Sequence, residues 1–150
     1  MLHDALREFA RDHAGTIPVS LTLHAPRFLI HGDPEHVKSI LENLTRNAAN
    51  AGSTRVEIIV KANSDSKSVI LVVQDDGPGL HEDRLATLFR PFADGGRAEG
   101  TGLGLYLSRR YVDLLGGRID ASNREAGGAA FRILLPGRLA TDVGARAAGN

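Results

Sequence analysis

Two glycine-containing stretches constrain the fold of this chain more than any other feature. They read Asp75-Asp76-Gly77-Pro78-Gly79 and Gly100-Thr101-Gly102-Leu103-Gly104. The first follows an apolar, β-branched run at 68–74 that predicts a strand, so the chain should turn sharply after Asp75. The second leads into a predicted helix at 105–115, whose free backbone N–H groups and positive dipole end suit phosphate. A carboxylate at one end and a phosphate cradle at the other predict a nucleotide site.

Neither stretch is specific by itself. The first is also typical of a tight turn capped by its aspartate, and the second is typical of a flexible loop. A third motif lies on a helix that Asp33 and Pro34 should start and that should run to about Ala51. Asn43 and Asn47 sit beside its apolar stripe, although asparagine is a poor helix-interior residue. One explanation is that the two side chains form hydrogen bonds within the core. The other is that they line the edge of a ligand site, where their amide oxygens coordinate a Mg²⁺ ion that also binds phosphate.

The composition fits a single globular domain. The chain has 150 residues, of which 42% are hydrophobic and 24% are charged. The formal net charge is zero, so the sequence does not suggest that the chain binds nucleic acid or an anionic membrane surface. The absence of cysteine excludes disulfides, thiol catalysis and thiolate metal sites. No apolar run reaches the ~18 residues of a membrane span, and His24, His31 and His36 lack metal-binding spacing and are expected at the surface.

The rest of the chain predicts further helices and strands. These are a helix at 2–14, a strand at 19–23, a loop or short strand around 28–30, a hairpin of strands at 55–61 and 68–74, a short helix at 82–89 and a second hairpin of strands at 118–122 and 130–135. Residues 93–100 are small, polar and glycine-rich, which predicts a mobile lid. Residues 137–150 have no periodicity and predict a disordered tail behind a domain at 1–136.

The order of these motifs resembles the ATP-binding catalytic domain of sensor histidine kinases, in the superfamily shared with gyrase, Hsp90 and MutL. The matching blocks are the N box at 41–48, the G1 box at 75–79, the F box at 89–92 and the G2 box at 100–104. Residues 116–119 and 131–136 match the closing pattern of the family, so the likeness covers roughly residues 2–136. It implies the Bergerat fold, an α/β (α+β) two-layer sandwich with a mixed, mostly antiparallel sheet and helices on one face.

The resemblance also implies a role for each motif in binding Mg-ATP. Asp75 would accept a hydrogen bond from the adenine amino group, and Asn47 would be the Mg²⁺ ligand with Asn43 beside it on the phosphate side. Gly77 and Gly79 would let the chain pass under the base. The implied nucleotide-binding set is Asn43, Asn47, Asp75, Gly77, Gly79, Phe92, Arg97, Gly100, Thr101, Gly102, Leu103 and Gly104. No catalytic residue is identified beyond Asn43 as a candidate.

The phosphate end of the implied site departs from the family pattern at one position. Many members carry a lysine or arginine three residues after the metal asparagine, where this chain has Asn50. Arg97 in the lid, or Arg46, would have to supply the cation, and lower ATP affinity is expected. Phe89 and Phe92 would anchor the base of the lid, although core packing also explains both aromatic residues.

The sequence places no acid as a general base for ATP hydrolysis. Gyrase-like relatives carry a glutamate four residues before the metal asparagine, where this chain has Asn43. The adjacent Glu42 is rotated by ~100° about the helix and should point away. We therefore expect ATP binding with very slow hydrolysis. His3-Asp4 resembles a phosphoacceptor pair, but the residues before Asn43 leave no room for a second long helix, so we do not expect His3 to accept phosphate.

The resemblance implies a protein histidine kinase that is incomplete without its phosphoacceptor domain. The expected partners are the dimerisation and phosphoacceptor hairpin of the parent kinase and a response regulator, with no nucleic acid and no direct membrane contact. The isolated domain is expected to be a cytoplasmic monomer, whose parent could carry an inner-membrane anchor. The alternatives are a stand-alone ATP-binding regulatory module, a serine kinase of the anti-sigma type, or a degenerate module that uses nucleotide only as a conformational switch.

Overall fold

A mixed six-stranded sheet carries the helices against one of its faces. The computed structural model describes residues 1–12, 17–65, 67–92 and 103–140. The elements are α1 (Leu2–Asp12), β1 (Val19–Leu23), β2 (Phe28–Ile30), α2 (Pro34–Asn50), β3 (Val56–Ala62), β4 (Ser68–Asp75), α3 (Glu82–Leu85), α4 (Gly104–Leu114), β5 (Arg118–Asn123) and β6 (Ala129–Leu139). This arrangement confirms the predicted two-layer α/β sandwich.

The strand order puts β4 in the middle of the sheet. The order is β1-β3-β4-β6-β2, and β5 also pairs with β6. β1 and β3 run parallel, whereas every other pair is antiparallel. β3 and β4 form the predicted hairpin, from Val56 opposite Asp75 to Ala62 opposite Val69. The 11 residues of β6 are enough to pair with β5 over its first half and with β2 over its last three residues.

The hydrophobic core lies between the sheet and α1, α2 and α4. Successive side chains of a strand alternate between its two faces, so every second residue of the central strands turns toward the helices. These core residues are Val56, Ile58, Val60, Val69, Leu71, Val73, Phe131, Ile133 and Leu135. From α2 they meet Val37, Ile40, Leu41, Leu44 and Ala48. Burial of each of the larger side chains among them contributes about 1.5–3 kcal/mol. The same alternation along β4 turns Asp75 toward the helices.

α2 begins and ends as its local sequence predicts. The Asp33 carboxylate accepts a hydrogen bond from the Glu35 N–H at 2.9 Å, and Pro34 occupies the first helical turn. The helix ends at Asn50, with Ala51 as its C-terminal cap and Gly52 at a φ of 93°. Because this positive φ favours glycine, the chain leaves the helix at the predicted point.

One predicted helix is shorter in the structure. α1 follows its prediction as far as Asp12, and residues 13–16 lie outside the described part of the chain. α3 ends at Leu85, although a helix was predicted over 82–89. Beyond it the Thr87 N–H bonds to Arg84 O and the Arg90 N–H bonds to Thr87 O, so the chain continues in tight turns. Pro91 follows directly and removes a backbone donor, which disfavours a longer helix.

Strand β6 extends past the predicted end of the domain. β6 continues to Leu139, so residues 137–139, predicted to begin a disordered tail, pair with β2 instead. The prediction missed this because the segment has no apolar alternation of its own, and its hydrogen bonds come from a distant strand. Gly137 permits the pairing, since a Cβ there would collide with the Leu29 carbonyl. Residues 141–150 of the predicted tail lie outside the described part of the chain.

Candidate functional site

Asp75 is the last residue of the central strand, and its carboxylate faces the helical layer. Its Oδ1 accepts hydrogen bonds from the Gly77 N–H at 2.9 Å and from the Ala129 N–H at 3.2 Å. Within the described residues both bonds end on Oδ1. The side chain is therefore oriented by the protein through one oxygen, and Oδ2 is the atom available to a ligand.

The loop after β4 lies against neighbouring backbone and side chains that the glycines allow it to approach. A Cβ on Gly77 would collide with Ser53 Oγ, so the chain passes this point only without a side chain. Gly79 has a φ of 82°, in the left-handed region that favours glycine. Both positions therefore need glycine for reasons within the protein itself, while passage of the chain under a base stays a prediction.

The turn between β5 and β6 braces this loop from the other side. The Asn123 side chain accepts from the Leu80 N–H at 2.7 Å and donates to Leu80 O at 2.8 Å. The Arg124 guanidinium donates to the backbone oxygen of Asp75 at 2.7 Å. Gly128 is buried against the same carbonyl, and a Cβ there would overlap it. The sequence analysis missed these residues, and only their turn composition, Asn-Arg with two glycines, signals a tight hairpin.

Asp76 connects the loop to the segment between α2 and β3. Its carboxylate accepts from the Thr54 hydroxyl, from the Thr54 N–H at 2.7 Å and from the Arg55 N–H at 3.2 Å. These hydrogen bonds, led by that of the Thr54 hydroxyl, lower the pKa of Asp76 to about 2. Asp76 therefore holds two loops together as a carboxylate, whereas its neighbour Asp75 keeps an oxygen for a ligand.

The N box and the start of α4 meet at the other end of the site. α2 and α4 run antiparallel, because His36 near the start of α2 stacks at 5.2 Å on Tyr111, toward the end of α4. Asn47 Oδ1 lies 3.9 Å from the position that a Cβ on Gly104 would take. Asn43 lies one turn earlier and is half-buried. The structure thus brings Asn47 to the residue where the second glycine stretch enters its helix.

Part of the predicted phosphate cradle lies outside the described residues. This applies to Arg97, Gly100, Thr101 and Gly102, whose assignments remain predictions, as does the mobile lid at 93–100. Leu103 is the N-terminal cap residue of α4 and is half-buried.

The F box is anchored by one of its two aromatic residues. The Phe89 ring packs edge-on against Phe131, with centroids 6.4 Å apart. Phe92 was expected to share this anchor, but its side chain is 59% exposed and its φ is 57°. The turns after α3 carry Phe92 out of the core, so the anchoring role falls to Phe89, and contact of Phe92 with nucleotide remains a prediction.

His3 is a core residue rather than a surface acceptor of phosphate. Its ring is 2% exposed, and Nε2 lies 3.0 Å from the Ala25 carbonyl oxygen. The neighbouring Asp4 pairs with Arg27 at 3.1 Å. An attacking imidazole nitrogen needs access to a phosphate, which this burial denies, so the geometry agrees with the expectation that His3 is not phosphorylated.

The described residues offer neither a cluster of acidic and histidine metal ligands nor a membrane-spanning helix. Across the described ranges, no group of three or more histidine, aspartate or glutamate side chains could hold a metal ion. A metal here would rely on amide oxygens such as that of Asn47 and on the phosphates of a ligand. No helix in the part of the chain described is long and apolar enough to cross a membrane.

Comparison with known proteins agrees with the geometry. The family model described as histidine kinase-, DNA gyrase B-, and HSP90-like ATPase matches residues 32–139. The sensor protein KdpD of Escherichia coli (strain K12) is 39% identical over 129 residues, which are 84% of this chain and 14% of that protein. The chain spans 12–26% of the lengths of eight curated relatives.

Solved structures share the fold along most of the chain. The catalytic domain of histidine kinase ThkA superimposes with a TM-score of 0.75 and 26% identity, covering 90% of this chain and 93% of that one. Full-length ShkA in complex with AMPPNP gives a TM-score of 0.72 and 26% identity, covering 93% of this chain and 30% of that one.

Proposed function

The chain belongs to the family of histidine kinase-, DNA gyrase B- and HSP90-like ATPases, and from this we propose that it is the ATP-binding catalytic domain of a two-component sensor histidine kinase. In this proposal it binds Mg-ATP and donates the γ-phosphate to a histidine on a dimerisation hairpin. The observation that carries it is Asp75, which its neighbours hold through one oxygen while the other stays available to a base.

Adenine is the base that this carboxylate suits. The exocyclic amino group of adenine donates a hydrogen bond to Asp75 Oδ2, whereas the carbonyl of guanine at the same position would face a carboxylate without a proton between them. A site built around a buried acceptor rejects a ligand that lacks the matching donor, because both groups are then left unpaired. The domain therefore selects ATP over GTP.

The phosphates and their metal would lie toward α4. The amide oxygen of Asn47 is a hard, neutral donor of the type that Mg²⁺ accepts beside phosphate oxygens, and it faces the start of α4 at Gly104. Asn43, one turn away, would contact the phosphate side. Bound Mg²⁺ would neutralise charge on the phosphates during transfer. The domain itself holds and orients the nucleotide, which is the main protein contribution to phosphoryl transfer.

A cation for the phosphates is assigned to the lid. Asn50 stands where many family members have a lysine or arginine, and both it and Arg46 are exposed. We assign the role to Arg97, so Arg97→Ala should weaken ATP binding about tenfold while binding of adenosine stays the same. Equal affinity of the variant and the wild type for ATP would remove Arg97 from the site.

Transfer, rather than hydrolysis, is the reaction that the residues support. Glu42 is exposed, and the amide of Asn43 cannot accept a proton as a general base. Helix α2 therefore provides no general base next to the metal end of the site. Hydrolysis of ATP by the isolated domain should be very slow and should not change in Glu42→Gln. Steady turnover that this substitution abolishes would contradict the assignment.

Calorimetry with ATP, ADP and GTP, with and without Mg²⁺, tests the binding function. We expect ATP and ADP to bind, with ATP strengthened by Mg²⁺, and GTP to bind at least tenfold more weakly. Asp75→Asn should lose this preference, because an amide can offer either a donor or an acceptor. Asp76→Asn is the matched control and should keep the preference, since Asp76 faces Thr54. An Asp75→Asn variant with wild-type selectivity would refute base recognition by Asp75.

A second experiment tests the catalytic function. The domain and a separately produced dimerisation hairpin of the parent kinase are mixed with ATP labelled at the γ-phosphate. Transfer of label to a hairpin histidine is expected, followed by transfer to a response regulator. Tight ATP binding without any transfer would instead favour a module that uses nucleotide as a conformational switch.

A further inference from the structure

The central strand β4 is apolar on both of its faces, although the described helices cover only one of them. Its residues 69–73 are all aliphatic, and such an unbroken run is typical of a strand that is buried on both sides. Every second residue of the run faces the helices and is buried. Ile70 and Val72 face the other way, stay half-exposed and are not among the side chains that pack on the core. The outer face of the sheet is therefore more apolar than a solvated face requires.

Two neighbouring strands extend this apolar surface. Ile59 of β3 lies opposite Val72, and Leu134 of β6 lies opposite Ile70. Both are half-buried and, like Ile70 and Val72, belong neither to the core nor to the side chains packed on it. Single aliphatic side chains on a surface need no explanation, but four at adjacent positions of three strands form one continuous patch. These four residues are called the outer patch below.

Exposed cations surround the outer patch. In the row of residues that contains Ile70 and Leu134, Lys61 occupies one end. Arg118 occupies the other end, and Arg132 lies in the adjacent row. None of the three cations forms an ion pair within the described residues. Because neighbouring strands are about 4.8 Å apart, the two ends of the row, on β3 and β5, are separated by roughly 14 Å.

Two carboxylates on the same face indicate the class of partner. Glu57 accepts a hydrogen bond from the Gln74 side chain at 2.8 Å, and Asp120 lies opposite Arg132. Carboxylates among the cations would repel the uniform negative charge of a membrane or a nucleic acid. Strands β3 to β6, as described, also present no aromatic side chain on this face for stacking on bases. An aliphatic centre between cations instead suits a protein segment with aliphatic side chains between carboxylates.

We propose that the outer patch binds an acidic amphipathic helix of a partner protein. The aliphatic face of this helix covers the patch, and its flanking carboxylates meet Lys61 and Arg118. The helix adds a third layer to the sandwich and buries β4 on both faces, as the apolar run of that strand predicts. Asp75 faces the opposite layer, so the nucleotide site stays accessible while the partner is bound.

Two synthetic helical peptides of about 20 residues test the proposal. Both present the same leucine face, and they carry either glutamate or lysine at the flanking positions. In fluorescence anisotropy we expect the chain to bind the glutamate peptide about tenfold or more tightly than the lysine peptide, and added salt should reduce the difference. Equal affinities for the two peptides would overturn the proposal.

Substitution of the apolar centre tests the contribution of the patch itself. Ile70→Thr/Val72→Thr keeps two β-branched side chains, so the strand should still form and the melting temperature should change little. We expect this variant to bind the glutamate peptide about tenfold more weakly than the wild type. Its affinity for ATP, measured by calorimetry, should equal that of the wild type.

Reversal of charge tests the flanking cations. Lys61→Glu/Arg118→Glu should exchange the preference, so that the lysine peptide binds more tightly than the glutamate peptide. Arg7→Glu/Arg109→Glu is the matched control, because it changes the net charge equally at exposed positions of α1 and α4. This control should keep the wild-type preference for the glutamate peptide.

Several outcomes would contradict the assignment. Wild-type peptide affinity in both patch variants would overturn it. Tighter binding to anionic lipid vesicles or to duplex DNA than to the glutamate peptide would assign the face to another class of ligand. A dimer that Ile70→Thr/Val72→Thr dissociates would assign it to a second copy of this chain, which also overturns the proposal. A chain that binds the peptide but no ATP would overturn the proposed function and leave this inference standing.

Discussion

Two adjacent glycines in the β5–β6 turn allow the brace behind Asp75 to be tested by substitution. Gly127 and Gly128 have φ values of 98° and 91°, so an alanine at either position meets the same backbone strain. That strain costs about 1–2 kcal/mol, and the reduced entropy of the unfolded chain offsets about 0.4–1 kcal/mol of it. Gly127→Ala should therefore lower the free energy of unfolding by about 1 kcal/mol.

The surroundings of the two glycines differ. A Cβ on Gly127 would meet nothing within 4 Å, whereas a Cβ on Gly128 would overlap the Asp75 carbonyl oxygen. Overpacking in a buried place adds about 1–3 kcal/mol, so Gly128→Ala should cost about 2 kcal/mol more than Gly127→Ala. For a domain of this size that difference corresponds to a melting temperature roughly 5 °C lower.

The same substitution should also weaken nucleotide binding. The added methyl group must displace the backbone of Asp75 from the turn, and Asp75 carries the proposed base contact. We expect Gly128→Ala to weaken ATP binding about tenfold or more at a temperature where the variant is folded, and Gly127→Ala to retain wild-type affinity. Thermal denaturation and calorimetry measure the two effects. Equal losses of stability in both variants would refute the steric argument.

Three further predictions concern two supports of the site, Asp76 and Asn123, and the buried core residue His3. The folded protein lowers the pKa of Asp76 to about 2, against 3.8 for a free aspartate. The stability that this carboxylate contributes is therefore present above pH 3.8 and is lost as the pH falls toward 2. Over this range the melting temperature of Asp76→Asn should vary less than that of the wild type. Asn123→Ala should cost about 1 kcal/mol and weaken ATP binding, because two hydrogen bonds to the loop after β4 are lost, whereas Ser122→Ala, at an exposed position, should do neither. His3→Ala should cost about 2 kcal/mol or more by removing a buried ring, yet leave ATP affinity unchanged in calorimetry; weakened binding would show that His3 acts on the site.

Features that depend on neighbouring residues were predictable from the sequence. Asp33 and Pro34 specify the start of α2 through a side-chain acceptor and a missing donor, and both act within one helical turn. The position of Asp75 at a strand end follows from the apolar run before it and the glycines after it. Such signals are local, so the fold class and the ends of these elements agree with the prediction.

The supports of the site depend on contacts between distant residues. Arg124 reaches the Asp75 carbonyl across 49 positions, and Asn123 reaches Leu80 across 43. The pairing of β2 with residues 137–139 and the burial of His3 are of the same kind. The composition of each segment does not indicate which other segment it contacts, because only the order of strands in the sheet brings the two together. A single sequence therefore indicates which residue should meet the base but not what holds it there.

The position of β6 has a consequence for how the protein is made. This strand is the last of the described strands, yet it lies between β4 and β2 and supplies the Ala129 N–H to Asp75. A chain still emerging from the ribosome can form the β3–β4 hairpin early, but it cannot close the sheet until residue 139 is free. Pairings between segments far apart in sequence form late, because their loop-closure entropy must be overcome first. Nascent chains halted before β6 would thus contain both asparagines and Asp75 and still have no competent nucleotide site.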